Sequence, residues 1–71
     1  MKKITVNIET GEDKTYNAYT NADIPFGLLG EGVTVKNTIE DFKESYQEMR
    51  AIYKEESKEF PEYEFVFKQA S

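Results

Sequence analysis

From Val35 onward the apolar side chains recur at Val35, Ile39, Phe42, Tyr46, Met49 and Tyr53, in alternating steps of four and three. Residues three and four apart stack on one side of an α-helix, so this spacing predicts a single apolar stripe along about five turns. A helix with one apolar face must lay it on something. In a chain of 71 residues the partner can only be the segments on either side. Thr34 stands where a helix cap belongs, because its hydroxyl can accept a bond from an amide two or three residues on, and Asn37 takes the place of the Glu or Gln of a full capping box. Glu40 and Asp41 lie nearer the start of the helix, and Arg50 and Lys54 near its end, an order that suits the helix dipole. Pro61 stops the helix at or before Phe60.

The flanking segments have the period of strands. Lys3 to Glu9 alternates, with Ile4, Val6 and Ile8 on one side, and Thr15 to Thr20 alternates with Tyr16 and Ala18 opposed to Asn17 and Tyr19. The polar run Thr10 to Lys14 between them reads as a hairpin turn. A third strand is expected over Gly27 to Glu31, after a polar turn at Asn21 to Asp23 and an extended Ile24-Pro25. Glu62 to Lys68 supplies a fourth, with Tyr63, Phe65 and Phe67 on one side. The order is strand, strand, strand, helix, strand. The predicted fold is α+β: an antiparallel three-stranded meander, a fourth strand parallel to the first through a right-handed crossover, and one long helix on one sheet face. That face carries Ile4, Val6, Ile8, Tyr16, Ala18, Phe65 and Phe67.

A single domain of this length buries about 60% of the surface its unfolded chain exposes. Its core supplies roughly 3 to 5 kcal/mol of stability, so association is a natural source of further burial. With no cysteine there is neither a disulfide framework nor a thiolate metal site, and without histidine the commonest general base is missing. The net charge of −5 argues against direct nucleic-acid binding and favours a basic partner. No apolar run approaches the roughly 20 residues of a membrane span, and MKKITVNIE has no apolar leader segment, which together point to the cytoplasm.

Three of the chain's four glycines, Gly27, Gly30 and Gly32, crowd into FGLLGEGVT just ahead of the helix. Such stretches often cradle phosphates. The spacing here is G-x-x-G-x-G, which matches neither nucleotide fingerprint, and Glu31 stands in the loop where a cation would be needed. The glycines are therefore expected to be structural, bending an edge strand and turning the chain toward Thr34 through positive φ. Glu9, Glu12, Asp13 and Asp23 gather near strand ends without the spacing of a ligand loop, as solvated turn residues do. Two features suit a partner better. Tyr19 falls on the sheet face away from the helix, and Glu40, Glu44 and Glu48 make an acidic row along the helix. With Leu28, Leu29 and Glu31 of the expected edge strand, these are the candidate partner-binding residues.

The start MKKITVNIE, the strand TYNAYT, the segment IPFGLLGEGVTV and the helix IEDFKESYQEMRAIYKE resemble the N-terminal domain of the HicB-like antitoxins over nearly the whole chain. The most specific part is Pro25 to Thr34, similar to a family pattern of Pro-Gly, a short strand, and Gly-x-Thr opening a helix. Phe26 stands between Pro25 and Gly27, and Val35-Lys36-Asn37 replaces the acidic run that commonly follows the threonine.

The resemblance implies a degenerate ribonuclease-H-like domain, without catalysis or cofactor, that masks a small basic HicA-like toxin which cleaves messenger RNA. It also implies a homodimer or higher homo-oligomer, and a DNA-binding segment that would lie beyond Ser71. Two other readings compete: the oligomerisation or sensing domain of a HicB-like transcriptional regulator, and a small metal-dependent nuclease of ribonuclease-H type.

Overall fold

A computed structural model describes residues 1–69 of the chain. Four strands and one helix follow in the order β1 (Lys2–Thr10), β2 (Tyr16–Tyr19), β3 (Gly30–Gly32), α1 (Val35–Glu55) and β4 (Tyr63–Gln69). The sheet order is β3-β2-β1-β4, antiparallel between β1 and β2 and between β2 and β3, and parallel between β1 and β4. This is the expected α+β arrangement.

Alternation places the core as expected. Val6 and Ile8 of β1 and Ala18 of β2 are buried in one cluster with Phe42 and Tyr46 of the helix, and Ile4 of β1 is buried as well. Phe65 and Phe67 of β4 meet Phe42 edge-on, with centroids 5.2 and 5.7 Å away. Apart from Tyr16 at the end of β2, the side chains facing the helix grow in size across the sheet, from Gly30 and Gly32 on β3 to Ala18 on β2, Val6 and Ile8 on β1, and Phe65 and Phe67 on β4. The space between helix and sheet is thus a wedge, and the helix backbone runs closest to β3.

The glycines explain the thin end of that wedge. A β-carbon at Gly30 would lie 2.7 Å from the Thr38 carbonyl oxygen and 2.8 Å from Phe42, and one at Gly32 would lie 2.9 Å from Asn37 and from the Thr38 amide. Neither distance can be sustained, so both positions require glycine for close approach. The expected reason was different: no glycine adopts positive φ. Gly27 has open space around it and does not begin a strand. The third strand starts three residues later than expected, and Leu28 and Leu29 precede it.

Thr34 caps the helix as expected, its Oγ1 accepting from the Asn37 amide at 3.0 Å. Glu40 and Asp41 fall beyond the first turn, which contains no acidic residue, while Lys54 does occupy the last. Thr38, which the apolar stripe omits, is fully buried. Its hydroxyl donates to the Thr34 carbonyl at 2.8 Å, so a polar side chain enters the core already satisfied. At the other end Ser57 takes φ 56°, and the amides of Ser57 and Lys58 return to the carbonyls of Lys54 and Tyr53. That is a Schellman turn, so the helix stops before Pro61 is reached.

The thick end of the wedge is aromatic. Phe60, on the linker into β4, packs against Tyr46 and Tyr53, and Phe26 stacks on Phe60 with centroids 5.5 Å apart. Phe26 thereby ties the 20–29 segment to the C-terminal half of the helix. Arg50 closes this cluster, lying over Phe60 while its guanidinium grips both carboxylate oxygens of Glu62 at 2.9 and 3.1 Å.

Candidate partner-binding surface

The face of the sheet away from the helix holds Tyr19 beside β3. The β2–β3 register pairs Ala18 with Gly30 and Asn17 with Glu31, and this places Tyr19 across from Leu29. The Tyr19 hydroxyl donates to Glu9 Oε1 at 2.9 Å, which fixes the ring on the sheet and leaves it half-buried. The same bond raises the Tyr19 pKa, since ionisation would lose it and set a phenolate beside a carboxylate. Leu29 is 71% exposed.

Two shallow hollows meet at this pair. One, of about 370 Å³, runs along β3 between Asn17, Glu31 and Asp41, and the other, of about 580 Å³, lies under the 20–29 segment between Thr20, Pro25 and Phe26. Tyr19 and Leu29 line both. Of the edge-strand candidates, Tyr19, Leu29 and Glu31 therefore come together. Leu28 does not: it is 5% exposed and packs in the core, so its side chain is withheld from a partner.

Helix side chains take up backbone groups at the β3 edge. The Glu31 N–H donates to Asp41 Oδ2 at 2.9 Å, and Ser45 Oγ donates to the Leu29 carbonyl at 3.1 Å. Both side chains come from the helix, which the glycines bring close enough to cover the edge. β3 is the edge strand that was expected, with helix side chains bonded to its Glu31 amide and to the Leu29 carbonyl just before it. Asp41 and Ser45 were not among the expected site residues, although their i, i+4 spacing places them one helical row beside Glu40, Glu44 and Glu48.

Glu40, Glu44 and Glu48 are all exposed. Among the described residues none of the three forms an ion pair, whereas Glu56, Glu62 and Glu64 each have one. The acidic row is thus without ion-pair partners among the described residues, on the same helix whose Asp41 and Ser45 reach Glu31 and Leu29.

Of the turn carboxylates, Asp13 has a local structural role. Asp13 accepts from the Thr15 hydroxyl and amide, bonds that lower its pKa and shape the β1–β2 loop, where Lys14 takes φ 65°. Among the described residues no three acidic side chains converge as a metal site would need. Nor is any helix long and apolar enough to cross a membrane.

No family model, curated protein or solved structure matches the chain. The DNA-binding continuation expected past Ser71 lies outside the described residues.

Proposed function

We propose that this chain is a non-catalytic, HicB-like antitoxin domain of degenerate ribonuclease-H-like type, which binds a small basic messenger-RNA-cleaving toxin of HicA type and covers its RNA-binding surface. The observation that carries the reading is that Asp41 lines one hollow with the exposed Leu29 and the anchored Tyr19 ring, on the same helix that carries the exposed and unpaired Glu40, Glu44 and Glu48. An RNA-binding protein presents cations spaced to meet phosphates, and an acidic helix face can occupy the same cations. Leu29 and Tyr19 add an apolar anchor of the kind that holds such an electrostatic contact in register. The reading also accords with the net charge of −5.

The test is inhibition of RNA cleavage by a small basic toxin of HicA type, at micromolar concentrations and low salt. Stoichiometric chain is expected to suppress cleavage, and the triple variant Glu40→Lys, Glu44→Lys, Glu48→Lys to lose suppression while keeping the helical signal. Undiminished cleavage in the presence of the unaltered chain defeats the proposal. The alternative, an oligomerisation domain of a transcriptional regulator acting in the cytoplasm, draws its support from a different part of the molecule, the outer edge of β4.

A further inference from the structure

Among the described residues the outer edge of β4 is the longest unpaired strand edge of the sheet. Seven residues, Tyr63 to Gln69, pair with β1 on one side only. Among the described residues the Tyr63 amide is bonded to the Tyr46 hydroxyl, and no side chain bonds to the backbone from Glu64 to Gln69. About half the N–H and C=O groups of such a strand point outward and can template another strand.

The side chains of this strand are self-complementary about one residue. In an antiparallel pairing of two copies with the two-fold axis at Val66, Val66 meets its own counterpart, Phe65 meets Phe67 of the second copy, and Glu64 meets Lys68 of the second copy. Each of these matches falls on one face of the sheet. Phe65 and Phe67 are only half-buried within one chain because the wedge is widest there, and the pairing would cover their outer sides. Val66, 45% exposed on the opposite face, would be covered as well. Glu64 lies 4.0 Å from Lys3 within a chain, whereas Lys68 has no carboxylate partner among the described residues until a second copy supplies one.

We propose that two copies of this chain associate through antiparallel β4–β4 pairing centred on Val66, joining their sheets into one of eight strands with both helices on the same face. This does not depend on whether the chain neutralises a toxin, because the β3 side and the acidic row remain free in such a dimer.

Sedimentation equilibrium of the 71-residue chain is expected to show a dimer of 8.3 kDa subunits. Glu64→Lys or Lys68→Glu alone sets two symmetry-related like-charge pairs across the interface and is expected to weaken dimerisation roughly tenfold or more at low salt. The combined Glu64→Lys, Lys68→Glu variant restores both pairs and should bring the dissociation constant back near its original value. Because the chain has no cysteine, Val66→Cys adds a single thiol at the axis, where opposed α-carbons lie about 4.5 to 5.5 Å apart, and it should form a covalent dimer on mild oxidation. A chain that stays monomeric up to about 1 mM, the weak end of specific association, overturns the proposal. So does a dimer that is indifferent to both single charge reversals, or a Val66→Cys variant that fails to cross-link.

Discussion

The two edges of this sheet have been treated in opposite ways. At β3 the strand is three residues long, and the helix lies so close that Asp41 and Ser45 reach its outward backbone groups. At β4 the strand is seven residues long, large aromatic rings hold the helix away, and among the described residues no side chain bonds to the backbone from Glu64 to Gln69. Side-chain size at the helix–sheet interface is what separates the cases. Glycine on β3 lets helix side chains bond to a short edge, and phenylalanine on β4 leaves a longer edge available.

The most damaging way to break the contrast is to thicken the thin end. Gly30→Ala places a β-carbon against helix backbone that cannot move independently, and is expected to cost about 1–3 kcal/mol, much of the stability of a domain this small. Gly27→Ala meets open space and should cost far less. Urea denaturation of the two variants checks the difference, and equal losses would show that the close approach at Gly30 is not what demands glycine.

A gentler change uncovers the β3 edge without moving the helix. Asp41→Ala removes the acceptor of the Glu31 amide and is expected to cost about 1 kcal/mol and to speed hydrogen exchange at Glu31. Exchange in β4 should be unaffected. If Glu31 exchanges as before, the Asp41 bond does not protect that edge.

The smallest effect is expected at high pH beside β3. The folded Tyr19 pKa is raised above its ordinary value of 10.0 by the bond to Glu9, so the contribution of that bond is complete below this value and is lost as pH rises through the folded pKa. Thermal melts of wild type and Tyr19→Phe should therefore differ by a constant amount up to about pH 9 and converge at more alkaline pH. A difference that persists unchanged through the titration would show that the hydroxyl contributes nothing through Glu9.

The elements of this fold were legible because their periods are strong. Ile4, Val6 and Ile8 alternate over a long strand, the helix stripe runs the length of α1, and Thr34 announces its start. The third strand was not legible, because a three-residue strand of Gly-Glu-Gly carries no alternation, and Leu28-Leu29 looked like better strand material. The glycines were assigned to turning when their task is proximity, and proximity depends on which helical residues lie opposite. Asp41 and Ser45 escaped notice for the same reason, since nothing in a sequence says which strand edge a helix side chain will reach. On the candidate surface, Tyr19, Leu29 and Glu31 could be grouped from strand alternation alone. Leu28, grouped with them as a candidate, is buried in the core while Leu29 beside it is exposed.

The parallel pairing of β1 with β4 also carries a consequence for how the molecule assembles. Hairpin and helix can form from residues near one another in sequence, but β4 reaches β1 only by closing a loop that spans nearly the whole chain, with Lys2 opposite Tyr63 and Ile8 opposite Gln69. Such distant closure is slow relative to local structure. Until it happens the edge of β1, with Ile4, Val6 and Ile8 beside it, stands open to any passing strand. The hazard therefore lies in time: the edge most in need of cover is the last to receive it.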